Sequence, residues 1–405
     1  MERVETVIVG GGQAGLAAGY HPARRDRPFV ILDADQRAGD AWRRRWDSLR
    51  LFTPARYSGL PGFPFPAPAF AHPTRDEVAD YLEAYAARFD LPVRHGVRVD
   101  RLATDDGRYL VTAGDNRWEA GQVVVASGAY QRPRVPDFAA ELDPGIVQLD
   151  TTRYRNPAQL RPGGVLVVGA GNSGAEIAHE VSGAHPTWLS GPDTGHLPVR
   201  TGSRWDQLIT PPFWWFASRV LTVDTAVGRK VRPKALHARA PLERVRPKEL
   251  AAAGVERVPR TVGVRDGLPV LEDGRVMEVA NLIWCAGSRP DFDWVDLPVF
   301  DQDGLPRHDR GVVASQPGLY FIGLWFLSGF TSSLLGGVGR DAERIAEHIT
   351  RVVRSTAGSS TPPPRAGRRP PPPAPSSAPP GPRRPGRSGA AGRSAAWSPG
   401  RSLPG

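Results

Sequence analysis

Two glycine turns constrain this chain more than any other feature of its 405 residues. Gly10-Gly11-Gly12-Gln13-Ala14-Gly15 follows a buried-strand pattern over residues 4–9, and Gly169-Ala170-Gly171-Asn172-Ser173-Gly174 follows another over residues 165–168. Both match G-x-G-x-x-G directly behind a strand pattern. In such a turn the first glycine permits the tight bend, the second lets a pyrophosphate approach the backbone, and the third lets the helix pack closely on the strand. The helix N-terminus then meets the negative charge. A further apolar run at 29–32 ends on Asp33, 18 residues after Gly15, where a carboxylate accepts hydrogen bonds from an adenosine ribose. Two turns in one α/β chain predict two bound dinucleotides, the arrangement that hydride transfer between a nicotinamide and a flavin requires.

The rest of the chain reads as a frame for these turns. A helix follows each, the first interrupted by His21-Pro22, where proline removes a backbone donor and predicts a kink or an early stop. Thr74-Arg75-Asp76-Glu77 resembles a capping box and predicts a helix over 74–89. The second turn leads into a helix over 172–181. Strands are expected at 187–189, 281–285 and 319–322, and a last helix at 339–353. This is the pattern of nested rather than tandem modules.

The basic character of the chain is local. Eight arginines and no acid lie between Ser355 and Gly405, so only +2 of the formal +10 belongs to residues 1–354. That tail holds 14 prolines in 51 residues and is expected to be disordered. Its arginines admit a polyanion-binding arm, but no nucleic-acid partner is expected for the folded part. A single cysteine, Cys285, excludes an internal disulfide and a C-x-x-C redox centre. The start at Met1 lacks a secretory pattern, and a cytoplasmic setting is expected. The apolar stretches 213–223 and 319–330 fall short of a membrane span. None of the nine histidines sits in a metal-ligand spacing, so no metal is predicted.

These residues resemble the flavin-dependent monooxygenases with two dinucleotide domains, a group that includes N- and S-oxygenating flavin monooxygenases, plant YUCCA enzymes and Baeyer–Villiger enzymes. The likeness spans residues 4–350. It is carried by both turns, the second continuing into Ala175-Glu176, by Gly39-Asp40-Ala41-Trp42 with Trp46, and by Leu60-Pro61-Gly62-Phe63-Pro64. Ala126-Ser127-Gly128 and Trp284-Cys285-Ala286-Gly287-Ser288-Arg289-Pro290-Asp291 complete it.

The resemblance implies two Rossmann-type domains, the NAD(P)-binding one (159–290) inserted in the FAD-binding one (1–158 and 291–354), with the tail at 355–405. It implies FAD on Gly10, Gly12, Gln13, Ala14, Gly15, Asp33, Trp42, Val99, Ser127 and Gly128. NADPH, with NADH as the alternative, would lie on Gly169, Gly171, Asn172, Ser173, Gly174, Ser190, Arg200, Ala286 and Gly287. The implied chemistry is hydride transfer to flavin N5, oxygen addition at flavin C4a to give a hydroperoxide, and transfer of one oxygen atom from O2 to a small organic substrate. Nitrogen or sulfur centres are favoured. The cofactor carries that chemistry, so no acid, base or nucleophile is demanded of the protein.

Three positions depart from the family pattern. Asp150 stands where the fingerprint carries histidine. Phe52-Thr53 replaces an asparagine beside the flavin, which makes Thr53 the candidate hydroxyl there. Ser190-Gly191-Pro192 lacks the arginine that meets the 2′-phosphate, leaving Arg200 and Arg204 as substitutes. Trp205, Phe213, Trp214, Trp215 and Phe216 form an aromatic cluster that suits a substrate channel, a membrane contact or plain packing. Residues 324–333 are expected near the flavin. Cys285 reads as a packed residue. Two rival readings stay open: an NAD(P)H-dependent flavin reductase or oxidase without oxygen transfer, and a FAD-containing binding protein. A homo-oligomer is also left open.

Overall fold

The structure, a computed structural model, describes residues 1–198, 201–237 and 240–358. Val199, Arg200 and the tail from residue 359 lie outside the described residues, and with them the expected roles of Arg200 and of the Arg-rich arm. Two separate sheets carry the fold. In the first, Glu2–Val9 lies parallel between Phe29–Leu32 and Asn116–Val125. The long strand Asn116–Val125 then pairs antiparallel with Arg108–Ala113 through its first half, and parallel with Leu319–Phe321 through its second. The chain thus returns to the first sheet from more than 190 residues away.

The second sheet is wholly parallel. Its order is Glu256–Val258, Thr187–Ser190, Val165–Val168, Asn281–Trp284 and Val147–Asp150. All four residues of Val165–Val168 and of Asn281–Trp284 are buried, as expected of β-branched and aliphatic strands covered on both faces. Val147–Asp150 belongs to this sheet, although it precedes residue 159. Its four residues, Val-Gln-Leu-Asp, alternate apolar and polar but are all half-buried, and so short an alternation does not by itself declare a strand.

The helices follow the sequence with informative differences. Gln13–Ala23 contains Pro22 and ends one residue later, where the Pro22 carbonyl accepts from the amides of Arg25 and Arg27 at 3.0 Å. The expected early stop is thus built into the turn itself. Arg75–Arg88 starts at a full capping box, in which Thr74 Oγ1 accepts from Glu77 N at 3.2 Å and Glu77 Oε2 accepts from Thr74 N at 2.7 Å. The last helix, Leu335–Gly358, is longer at both ends than the sequence implied and takes in the first residues assigned to the tail.

Two tyrosines of the capped helix pin the Pro-Gly loop above it. Tyr81 Oη accepts from Leu60 N and donates to Phe63 O, both at 2.6 Å, and Tyr85 Oη donates to Pro61 O at 2.8 Å. Tyr81→Phe would leave a buried amide and a carbonyl unpaired, a cost of about 1–3 kcal/mol. The melting temperature should fall by a few degrees in a thermal scan, and an unchanged melt would remove this loop from the stability account.

Candidate active site

The two glycine turns have the same geometry. Gly10 sits at φ +111° and Gly169 at +114°, a region that side chains rarely enter. A Cβ on Gly15 would lie 1.8 Å from the Gly10 carbonyl oxygen, and one on Gly174 would lie 1.8 Å from that of Gly169. Neither position accepts a side chain. By contrast, a Cβ on Gly12 or Gly171 would meet nothing within 4 Å. Each turn therefore keeps its middle glycine facing open space at a helix N-terminus, which is what a phosphate group needs in order to reach the backbone amides.

The neighbouring strand ends repeat the symmetry. Ala126 N donates to Val9 O at 2.8 Å and Cys285 N to Val168 O at 2.7 Å. Ser127-Gly128 is thereby set beside the first turn and Ala286-Gly287 beside the second. Cys285 itself is buried, and burial drives its thiol far above the usual range, with Asp150 adding to the effect. It is a packed residue, as read from the sequence.

Around the first turn the polar atoms fit a ligand. Ser127 Oγ and Ser333 Oγ are buried without a hydrogen-bond partner, and Gln13 Nε2 donates to Ser333 O at 2.8 Å, which fixes that segment over the helix start. Orphaned buried hydroxyls in a native fold call for a polar group to fill them. Asp33 is buried at the end of its strand and faces the Gly11 amide; burial raises its pKa above the ordinary carboxylate value, against the pull of that amide. Its Oδ2 lies 3.5 Å from His95 Nδ1. Ala14 abuts Gly323, where a Cβ would come within 2.8 Å of the alanine methyl. Trp42 and Val99 are half-buried against the two cores that flank this sheet.

Thr53 is buried at a turn of its loop. Its hydroxyl is buried 3.0 Å from Ser58 Oγ, which also donates to Pro54 O at 3.0 Å, so it closes a turn inside the protein. Phe52 is the exposed neighbour. Segment 324–333 holds Phe326 at φ +47°, a strained position for an aromatic residue. Trp325 is exposed and meets Tyr130 edge-on at 6.4 Å.

Around the second turn two of the expected contacts are spent on the protein. Asn172 Oδ1 accepts from Glu243 N at 2.9 Å and its Nδ2 donates to Pro241 O at 3.1 Å, clamping loop 241–243 onto the helix start. Ser190 Oγ donates to Pro259 O at 2.8 Å and accepts from Thr261 N at 2.9 Å. What remains of the motif for a ligand there is its backbone and Ser173. Ser173 stays half-buried on the first helical turn, and Ala286 and Gly287 are exposed. Arg257 Nη2 reaches the Gly191 carbonyl at 3.2 Å, a cation beside the position that lacks the family arginine. Asp150, in the place of the fingerprint histidine, caps its own turn through Thr152 N at 2.7 Å and Thr152 Oγ1 at 2.5 Å. Tyr154 is fully buried and donates to Glu180 Oε2 at 2.9 Å, so the segment stays anchored.

The clamp brings together charges that sequence reasoning did not connect. Burial pushes the Glu176 carboxyl up to about 7, against the opposing pull of Arg244, whose Nη1 lies 3.0 Å from Glu176 Oε2. Burial and the neighbouring Glu176 push Glu243 up to about 8. Tyr130 keeps 47% of its surface open yet is desolvated by the walls around it, which push its pKa up to about 12, with Arg45 and Glu243 within electrostatic reach. Both carboxyls bind protons more tightly in the folded chain than in the unfolded one. The stability this provides is full below the unfolded value near 4.5 and is lost as pH rises through about 7 to 8. Glu243→Gln should therefore melt a few degrees higher than the parent above pH 8 and alike at pH 5; equal melting at both would contradict the burial of this acid.

Two Rossmann-type modules with open glycine turns, one of them rebuilt by the returning C-terminal segment, define a two-dinucleotide oxidoreductase. Comparison with known proteins agrees. A family model described as pyridine nucleotide-disulphide oxidoreductase matches residues 7–187. An uncharacterized CzcO-like oxidoreductase of Geobacillus kaustophilus is 38% identical, the match covering 85% of this chain and 98% of that protein. The indole-3-pyruvate monooxygenase YUCCA1 of Oryza sativa is 30% identical over 86% of this chain and 93% of its own. Among solved structures, a flavin-containing monooxygenase from Stenotrophomonas maltophilia is 30% identical with a TM-score of 0.69, covering 87% of this chain and all of the other. The chain belongs to this family of flavin monooxygenases and CzcO-like oxidoreductases, and it is an enzyme of the flavin-dependent monooxygenase type.

Proposed function

We propose that the chain holds FAD on the first turn and a nicotinamide dinucleotide, NADPH ahead of NADH, on the second, and uses them to insert one oxygen atom from O2 into a small organic substrate. Nitrogen and sulfur centres are the first choice. The pair of turns, each open at its middle glycine and closed at the other two, carries this reading. The FAD contacts fall to Gly10, Gly12, Gln13, Ala14, Gly15, Asp33, Trp42, Val99, Ser127 and Gly128. The nicotinamide cofactor takes Gly169, Gly171, Ser173, Gly174, Ala286 and Gly287, with Asn172 and Ser190 shaping its site through the backbone, and Arg257 as the cation for a 2′-phosphate. We also infer an FAD domain made of residues 1–158 and 291–354, less the strand Val147–Asp150, which goes with the inserted NAD(P) domain. The setting is cytoplasmic, in keeping with a lone buried thiol.

When bound, the flavin supplies hydride acceptance and oxygen activation. The chain orients the two cofactors and excludes water. Asn172 locks loop 241–243 to the helix of the second turn, and Glu243, protonated up to about pH 8, keeps a proton on its carboxyl within electrostatic reach of Tyr130. Thr53 shapes its loop through Ser58. The test offers thioethers and tertiary amines to the FAD-loaded enzyme with NADPH under isotope-labelled oxygen gas. Label in the product, with less peroxide than NADPH consumed, is the expected result. NADPH flux that ends wholly as hydrogen peroxide with every substrate would make the chain an NAD(P)H oxidase instead.

A further inference from the structure

The helix Arg204–Arg219 turns its aromatic residues outward. At 100° per residue, Trp205, Leu208, Ile209, Phe213, Trp215 and Phe216 fall within one arc of about 160°. All six are exposed, Trp205 by 69%, Leu208 by 66% and Trp215 by 62%. The opposite side is seated on the protein: Trp214 stacks on Tyr57 at 5.0 Å, Ala217 is buried, Asp206 lies 3.5 Å from His72, and Arg340 donates to the Ser218 carbonyl. The outward aromatics are therefore not a misplaced core. A contiguous apolar face of this size on a folded chain marks a contact with something else.

Charge identifies the occupant. Arg204 and Arg219 stand exposed at the two ends of the apolar face. Helix Ala226–His237 follows after six residues and carries Arg229, Lys230, Arg232 and Lys234 with no acid. Among the described residues Lys230 and Lys234 have no carboxylate partner. Three guanidiniums, of Arg229, Arg232 and Arg310, line a hollow of about 370 Å³ together with Asp309, and Asp224 pairs with Arg310 Nη2 at 2.6 Å, which leaves three cations against two carboxylates. Arg310 Nε is buried there without a partner. With 16 residues the aromatic helix is about 24 Å long, and no described helix is long and apolar enough to cross a membrane. An amphipathic helix with tryptophans on one side and cations beside it lies flat in a bilayer interface.

We propose that helices Arg204–Arg219 and Ala226–His237 dock this enzyme on an anionic lipid surface, with Trp205, Trp215 and Phe213 in the acyl boundary and Lys230, Lys234 and the arginine hollow on the headgroups. The test uses the full-length FAD-loaded protein with vesicles of phosphatidylcholine alone or mixed with phosphatidylglycerol, with brominated acyl chains as a depth-dependent quencher of tryptophan emission. The wild type should sediment with the mixed vesicles and be quenched by the bromine. Trp205→Ser/Trp215→Ser should lose the quenching and bind at least roughly tenfold more weakly, while NADPH oxidation in solution stays at the parent rate. Lys230→Glu/Lys234→Glu should weaken binding in low salt, the regime where surface charges act. The Arg-rich tail carries Trp397, so both proteins also carry Trp397→Phe, which leaves the quenching to report the helix and not the tail. Failure of the wild type to bind mixed vesicles, or equal quenching in the tryptophan variant, overturns the proposal. So does a dimer that the tryptophan variant dissociates in the absence of any vesicle binding, since a second copy would then own the face.

Discussion

Gly12→Val is expected to give a folded, colourless protein. The backbone at Gly12 is extended, with φ −75°, and a Cβ there meets nothing within 4 Å, so valine strains neither the turn nor its neighbours. Its methyls would instead occupy the open space at the helix start that the FAD pyrophosphate needs. Flavin absorbance should disappear from the purified protein, NADPH oxidation should fall by roughly a thousandfold or more, and the far-ultraviolet dichroism should match the parent. Gly15→Ala is the control for the other kind of failure. Its Cβ would sit 1.8 Å from the Gly10 carbonyl, so it should lose the fold and not the ligand alone. A yellow, active Gly12→Val protein would mean that FAD does not approach this turn.

The same substitution one module later should have a different consequence. Gly171→Val keeps the first turn intact, and its Cβ also meets no protein atom. The protein should purify yellow, with KM for NADPH raised roughly a hundredfold, about 2.8 kcal/mol of lost binding. Steady-state kinetics across a wide NADPH range checks this. Flavin lost together with nicotinamide affinity would contradict two independent sites.

What was legible in the sequence was what is local in the chain. The glycine spacing, the strand patterns at 4–9, 29–32 and 165–168, and the Thr74/Glu77 cap each declare themselves within a few residues, and the structure has the corresponding strands and helices. The nested order was readable only through likeness to a family, because nothing near Leu319 announces its partner at Val123. Side-chain direction was not readable at all. Asn172 and Ser190 look like ligand contacts from their motif positions, yet tertiary partners at 241–243 and 259–261 take their polar atoms. Glu176 and Glu243 lie far apart in sequence, and only folding places them in one desolvated cleft. The aromatic run 213–216 separates into an inward Trp214 and outward neighbours once helical geometry is imposed, a distinction that composition hides.

The most direct test of the two-turn account is anaerobic. FAD-loaded wild type and Gly171→Val are each mixed rapidly with NADPH, and the visible absorbance of the flavin is followed. The account predicts that the wild type bleaches as hydride reaches the flavin, while the variant, equally yellow at the start, bleaches only at far higher NADPH. A yellow wild type that neither NADPH nor NADH bleaches, or a variant that bleaches with the parent's concentration dependence, would contradict it.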